Sequence, residues 1–169
     1  MVERYTRAEM GRIWQLENRF DKMMEVEIAV AEVQASLKII PRVAAKQIAA
    51  KAQFSVKRIQ EIENETKHDV IAFVSNIAEN VGEWGRFVHF GMTSSDVLDT
   101  AFSLQVRDAG EVLTSSIELL EKNLKKLARK SSEVLCAGRT HGMFAEPTTF
   151  GLKIAGFIAE LQRNKVRYE

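Results

Sequence analysis

Apolar side chains return along this chain at intervals of three and four residues. Ile13, Trp14, Phe20, Met23, Met24, Ile28, Ala31 and Ala35 form the first such series. That interval places them on one face of a helix and predicts helical structure from Thr6 to about Ser36. Leu37 to Pro41 interrupts the series, and Pro41 suits the first turn of a following helix carried by Val43, Ala44 and Ile48. Phe54 and Ser55 read as a staple and an N-cap ahead of Ile59 and Ile62. Val70, Phe73, Val74, Ile77, Ala78 and Val81 make another inward stripe. From Asp96 to Ser131 there is no Pro and only Gly110, which predicts a rod of roughly 50 Å at ~1.5 Å per residue. On it Val106, Leu113, Ile117, Leu120, Leu124 and Leu127 lay out a heptad seam that calls for partner helices. Leu152, Ile154, Ala155, Phe157, Ile158 and Leu161 carry a last helix from Phe150 to Glu169. β-branched residues do not alternate over a strand-length window, so the expected class is all-α.

The interruptions are as informative as the stripes. Thr6 with Glu9 fits a capping box, with Arg4 and Tyr5 just outside it, where a solvated arm is one reading. Glu65 to Val70 reads ETKHDV, and Asp69 is the expected N-cap there. Glu79 to Asp96 holds three Gly, one His and a Thr-Ser-Ser run, with Thr93 and Asp96 set to start the long helix. Gly138 to Gly151, GRTHGMFAEPTTFG, is expected to be an ordered bend between two helices. The predicted organisation is a small N-terminal helical domain over residues 1–93. The first long helices of a bundle domain follow over 94–169. The uncovered seam and the absence of a stop signal after Tyr168 lead to the expectation that the chain is the N-terminal piece of a longer protein.

Composition narrows the chemistry. The 169 residues carry 24 basic and 23 acidic side chains, a formal charge of +1, which offers no nucleic-acid footprint and no membrane-seeking basic face. No apolar run approaches spanning length and no signal core opens the chain, so a cytoplasmic protein is expected. Cys136 is the single Cys, which excludes an intrachain disulfide, and it reads as a packing residue. There is no metal-ligand spacing and no Gly-rich phosphate loop, so no cofactor is expected.

All three His, at 68, 89 and 141, fall in the interruptions and none on an apolar stripe. Beside them stand Lys67, Thr93 with Ser94, and Arg139 with Thr140. Imidazole titrates near neutrality and can serve as general acid or base. Cations, hydroxyls and helix N-termini suit carboxylate or phosphate. For any one His a surface or capping role is the plainer reading. Together they point to cofactor-free acid–base chemistry on a polyanion.

TKHDV (66–70), VHFGMTSSDVLDTA (88–101) and GRTHGMFAEPTTFG (138–151), behind an N-terminal RYT, resemble the adenylosuccinate lyase family of the fumarase/aspartase superfamily. The resemblance covers the whole chain. It implies elimination of fumarate from adenylosuccinate, giving AMP, and from the succinyl-carboxamide ribotide of purine synthesis. It implies His141 as the general acid, with His68 orienting substrate between Lys67 and Asp69. It also implies Thr93 and Ser94 on a succinyl carboxylate, Arg4 and Tyr5 on the nucleotide and phosphate, and His89 on the phosphate side. Many members have Gln at the position of Met143, which leaves Met143 without an expected substrate contact. The base of these lyases lies on a signature loop that this sequence does not contain, so the chain alone is expected to be inactive. Their homotetrameric bundle, with active sites built from three subunits, fits the uncovered seam. Two alternatives stand beside this reading: a carboxymuconate-cycloisomerase-like enzyme, and a non-catalytic helical module.

Overall fold

The computed structural model describes residues 2–168, with Glu3 described by its backbone alone. A 3₁₀ turn over Glu3–Tyr5 is followed by α1 (Ala8–Ile13), α2 (Leu16–Ser36), α3 (Arg42–Lys51), α4 (Val56–Thr66) and α5 (Asp69–Val81). After a 3₁₀ helix over Gly82–Phe87 come α6 (Ser94–Lys130), strands β1 (Leu135–Thr140) and β2 (Met143–Thr149), and α7 (Phe150–Tyr168). The chain divides into two compact units between Ala109 and Gly110, and α6 runs through the division. The helical class expected from periodicity is what the structure shows, with one small sheet added.

The first unit is built around α5. Phe73 and Ile77 are fully buried, and Val70 and Val81 nearly so, one and two turns apart on the stripe the sequence marked. Met23 of α2, Ile48 of α3, Ile59 of α4 and Val97 of α6 close round them. The Phe73 ring stacks on Phe20 at 5.5 Å, and Phe20 leans on Phe54 at 5.8 Å. Lys22 Nζ of α2 reaches Asp108 Oδ2 of α6 at 2.9 Å. That hydrogen bond holds the Asp108 carboxyl below its usual value and the Lys22 ammonium above its own.

The single helix expected from Thr6 onward is two. Gln15 is extended (φ −77°, ψ 155°) between α1 and α2. The capping box is not formed: α1 starts after Arg7, and Thr6 Oγ1 donates instead to the Val2 carbonyl at 2.9 Å. Ser55 caps α4 as expected, accepting from the Arg58 N–H. Pro41 sits one residue outside α3, at its N-cap.

In the second unit α7 lies antiparallel to the later turns of α6. Gln162 donates to Glu121 at 2.7 Å, and Lys165 pairs with Glu118 at 2.8 Å. Ile154 is buried, yet Leu113, Leu120 and Leu127 of the heptad seam remain 44%, 48% and 40% exposed. Within this chain the seam is therefore uncovered along much of its length.

The 138–151 stretch is a β-hairpin rather than a helix-to-helix bend. β1 and β2 pair antiparallel from Leu135↔Thr149 to Thr140↔Met143, with an irregularity between Ala137 and Arg139. Gly138 sits at that irregularity, where a Cβ would meet the Glu146 carbonyl oxygen at 2.7 Å. His141 and Gly142 form the two-residue turn, with φ of +50° and +72°. Two successive left-handed residues match the twist of paired strands, which is why this short turn folds the segment back.

Candidate functional site

The KHD triplet forms the junction of α4 and α5. Lys67 ends α4 in the left-handed conformation (φ 57°), its N–H bonded to the Glu63 carbonyl. His68, and not Asp69, is the N-cap of α5: its Nδ1 accepts from the Ile71 N–H at 3.3 Å. An Nδ1 that accepts must leave the proton on Nε2, so His68 presents an N–H donor to whatever lies beyond it. The 3.8 Å approach of Nδ1 to Asp69 Oδ1 is too long to compete with that bond. Asp69 Oδ1 accepts from the Val70 N–H at 2.8 Å, and Oδ2 pairs with Arg19 at 3.4 Å. Both His68 and Asp69 are about half exposed, so the junction is open to a ligand.

His89 opens a loop that runs to the start of α6. It is left-handed (φ 61°), and so is Gly91 (φ 71°). Two side chains of α2 hold this loop. Glu27 takes the His89 backbone N–H on Oε2 at 2.8 Å and ring Nδ1 on Oε1 at 2.7 Å. Gln34, seven residues on, donates to the Phe90 carbonyl at 2.7 Å. The loop delivers Thr93 and Ser94, where the Thr93 N–H is taken by Asp96 at 2.8 Å and α6 begins. Thr93 therefore immediately precedes the first turn of α6, the end at which a helix carries amides without intrahelical partners.

Arg4 and Tyr5 stand on the opening 3₁₀ turn. The guanidinium lies 4.8 Å from the centroid of the Tyr5 ring, and Tyr5 is 78% exposed. In the second unit His141 occupies the exposed tip of the hairpin, and Arg139 lies 5.4 Å from the Phe144 ring opposite it. Met143 pairs with Thr140 across the turn and is 69% exposed.

The structure thus brings Lys67, His68 and Asp69 to one junction, and His89, Thr93 and Ser94 to one loop. Arg4 and Tyr5 keep to their own turn, and His141 belongs to the other unit. One property links three of them. Among the described residues, the non-glycine positions with positive φ are Lys38, Lys67, His89 and His141. Few non-glycine residues enter that region, Asn, Asp and His more often than the rest, and backbone strain gathers at functional sites. Sequence reasoning did not reach Glu27, Gln34 or Arg19. Glu27 did leave a signal: a carboxylate occupies a core-facing slot of α2, between Met23 and Ala31, and is 3% exposed.

A family model described as "Lyase" matches residues 3–169. The chain is 47% identical to an adenylosuccinate lyase of Synechocystis over 167 residues, covering 99% of this chain and 39% of that protein. It is 48% identical to the Aquifex aeolicus adenylosuccinate lyase over 170 residues, covering 99% and 39%. With the Bacillus subtilis adenylosuccinate lyase the figures are 44% over 169 residues, covering 100% and 39%. Among solved structures, a fumarate lyase from a Mesorhizobium species superposes with a TM-score of 0.89 at 32% identity, over 94% of this chain and 38% of the other. A 3-carboxy-cis,cis-muconate lactonizing enzyme from Pseudomonas putida gives 0.87 at 29%, over 97% and 39%. The chain spans about 39% of the length of the curated relatives it matches.

Proposed function

We propose, because this chain belongs to the lyase family, that its whole protein eliminates fumarate from adenylosuccinate, yielding AMP, and from the succinyl-carboxamide ribotide of purine synthesis. One observation carries the choice within the family. Identity with proteins named adenylosuccinate lyase is well above identity with the lactonizing enzyme, although the backbone superposes closely on the latter.

The reaction removes a proton from the succinyl Cβ, builds charge on the adjacent carboxylate as an aci-acid, and breaks the C–N bond. Fixed donors stabilise that charge best. Thr93 and Ser94 at the start of α6 supply a hydroxyl and first-turn amides for the succinyl carboxylate. His68, with its proton on Nε2, orients the substrate as a donor, beside the Lys67 charge and an Asp69 braced by Arg19. His89, Arg4 and Tyr5 take the phosphate and nucleotide side. His141 protonates the departing nitrogen. The proton-abstracting base is a Ser outside this chain, and sister chains complete the pocket in a homotetramer that also covers the α6 seam. No metal or cofactor takes part. In the whole protein the domain boundary falls near residue 93, ahead of α6, although the compact units of this chain part within that helix, and the enzyme works in the cytoplasm. Among the described residues no helix is long and apolar enough to cross a membrane.

The test is an absorbance assay of the whole protein with adenylosuccinate. Formation of AMP and fumarate is expected, and no turnover would reject the reading. The 169-residue chain alone should be inactive. Turnover by it would overturn the placement of the base outside it.

A further inference from the structure

The clasp between Glu27 and His89 has no role in the reaction as described, yet its geometry is specific. A carboxylate in the core of a helical unit is costly to bury unless its oxygens are hydrogen-bonded. Glu27 spends both oxygens on one residue, with the backbone N–H of His89 on Oε2 and ring Nδ1 on Oε1. The Glu27 side chain is 2% exposed and that of His89 is 21% exposed, so the clasp is nearly closed to water. His89 is left-handed at φ 61°, a region few non-glycine residues enter. Gln34 grips the next carbonyl from the same side of α2.

We propose that Glu27 is the positioning residue of His89. It fixes the ring angle and keeps a proton on Nδ1, so that Nε2 is the nitrogen offered to substrate, as the acceptor of an N–H or O–H of the nucleotide next to the phosphate, whose charge Arg4 meets. A carboxylate has lone pairs and no hydrogen to give, so Nδ1 must donate to it. The neutral ring of His89 is therefore the Nδ1–H tautomer, opposite to that of His68, whose Nδ1 accepts. Without Glu27 the ring would turn and the loop leading to Thr93 and Ser94 would keep only the Gln34 anchor. Partners of this kind behind a working imidazole set its tautomer and orientation.

Two arms test this. The chain has three His, so long-range ¹H–¹⁵N correlation on histidine-labelled protein, assigned with His→Gln variants, reads each tautomer directly. The expected wild-type result is Nδ1–H for neutral His89 and Nε2–H for His68. Glu27→Gln keeps an acceptor for the backbone N–H but can turn its amide N–H toward Nδ1, and should move His89 to Nε2–H. Nε2–H in wild-type His89, or an unchanged tautomer in a folded Glu27→Gln chain, would overturn the proposal. The wild-type spectrum decides even where the variant does not fold. The second arm rests on the lyase reading above. In the whole protein, Glu27→Gln should raise KM for adenylosuccinate about 10- to 100-fold, the range for such supporting partners, with kcat changed less. The expected tautomers with an unchanged KM would leave the clasp intact and remove His89 from the substrate side.

Discussion

The N-cap role of His68 can be separated from its chemistry by two substitutions at one position. His68→Ala removes both the cap and the ring. His68→Asn removes the ring but restores a side-chain acceptor, and Asn ranks among the best N-caps. The bond at stake runs from the Ile71 N–H to Nδ1 at 3.3 Å, on a side chain 44% exposed. A long bond at an exposed site belongs in the lower half of the capping range, about 0.5–1 kcal/mol. For a unit of this size that corresponds to a fall in Tm of about 2–6 °C. The chain with Ala at 68 should melt lower by that amount by circular dichroism, and the chain with Asn should melt with the wild type. In the whole protein both changes remove the Nε2–H donor, and both should lower lyase turnover about 100-fold, as expected when a substrate is no longer oriented. If the Asn chain melts with the Ala chain, the ring nitrogen is not the cap. If the Asn enzyme turns over like the wild type, the ring is not needed for chemistry.

Further outcomes follow from other parts of the molecule. His141→Ala in the whole protein should cost about 10²- to 10⁴-fold in rate, and a near-wild-type rate would remove His141 from the mechanism. Phe73→Ala deletes a fully buried ring stacked on Phe20. It should lower stability by about 3–5 kcal/mol in urea titration, and a loss below about 1 kcal/mol would contradict a close-packed centre there. Asp108→Asn tests the tie to Lys22. The hydrogen bond between them holds the Asp108 carboxyl below the usual carboxylate range and the Lys22 ammonium above its ordinary value. The carboxylate side of the tie therefore contributes above about pH 4 and fades as pH falls further; the ammonium side contributes below about pH 10.5 and fades above it. By urea titration the wild type should exceed Asp108→Asn in stability at pH 7 by up to about 1 kcal/mol, with the gap narrowing as pH falls below 4. A gap that does not narrow at all as pH falls below 4 would show another cause.

Much of the scaffold was legible because burial imposes period. The α5 stripe from Val70 to Val81 and the long α6 are helical where spacing placed them. The hairpin was not legible from alternation. Its two strands are mostly exposed on both faces, so no inward series marks them, and Gly138 and Pro147 look like breakers inside them. The signal was the turn pair His141-Gly142, which reads like the Asn-Gly of a two-residue hairpin. Composition favours Asp69 as the cap because Asp is a preferred cap residue, whereas His68 caps by position, one residue before the first helical turn. Resemblance named the residues that carry chemistry but was silent on what holds them. Glu27 and Gln34 are supports acting across 62 and 56 residues of sequence, a range at which no local pattern speaks.

Left-handed backbone at Lys67, His89 and His141 has a consequence for anyone breeding a hardier version of this chain. Each such residue carries roughly 1–2 kcal/mol of steric cost, and glycine would carry almost none. Selection on heat tolerance alone would drift toward glycine at Lys67 and His141, swapping an ammonium and an imidazole for hydrogen atoms, whereas at His89 the buried Glu27 would lose a hydrogen-bond partner and so holds the ring in place. Sturdiness and reactivity compete here for the same two letters of sequence, and a screen has to score turnover alongside melting if it is not to discard what it set out to keep.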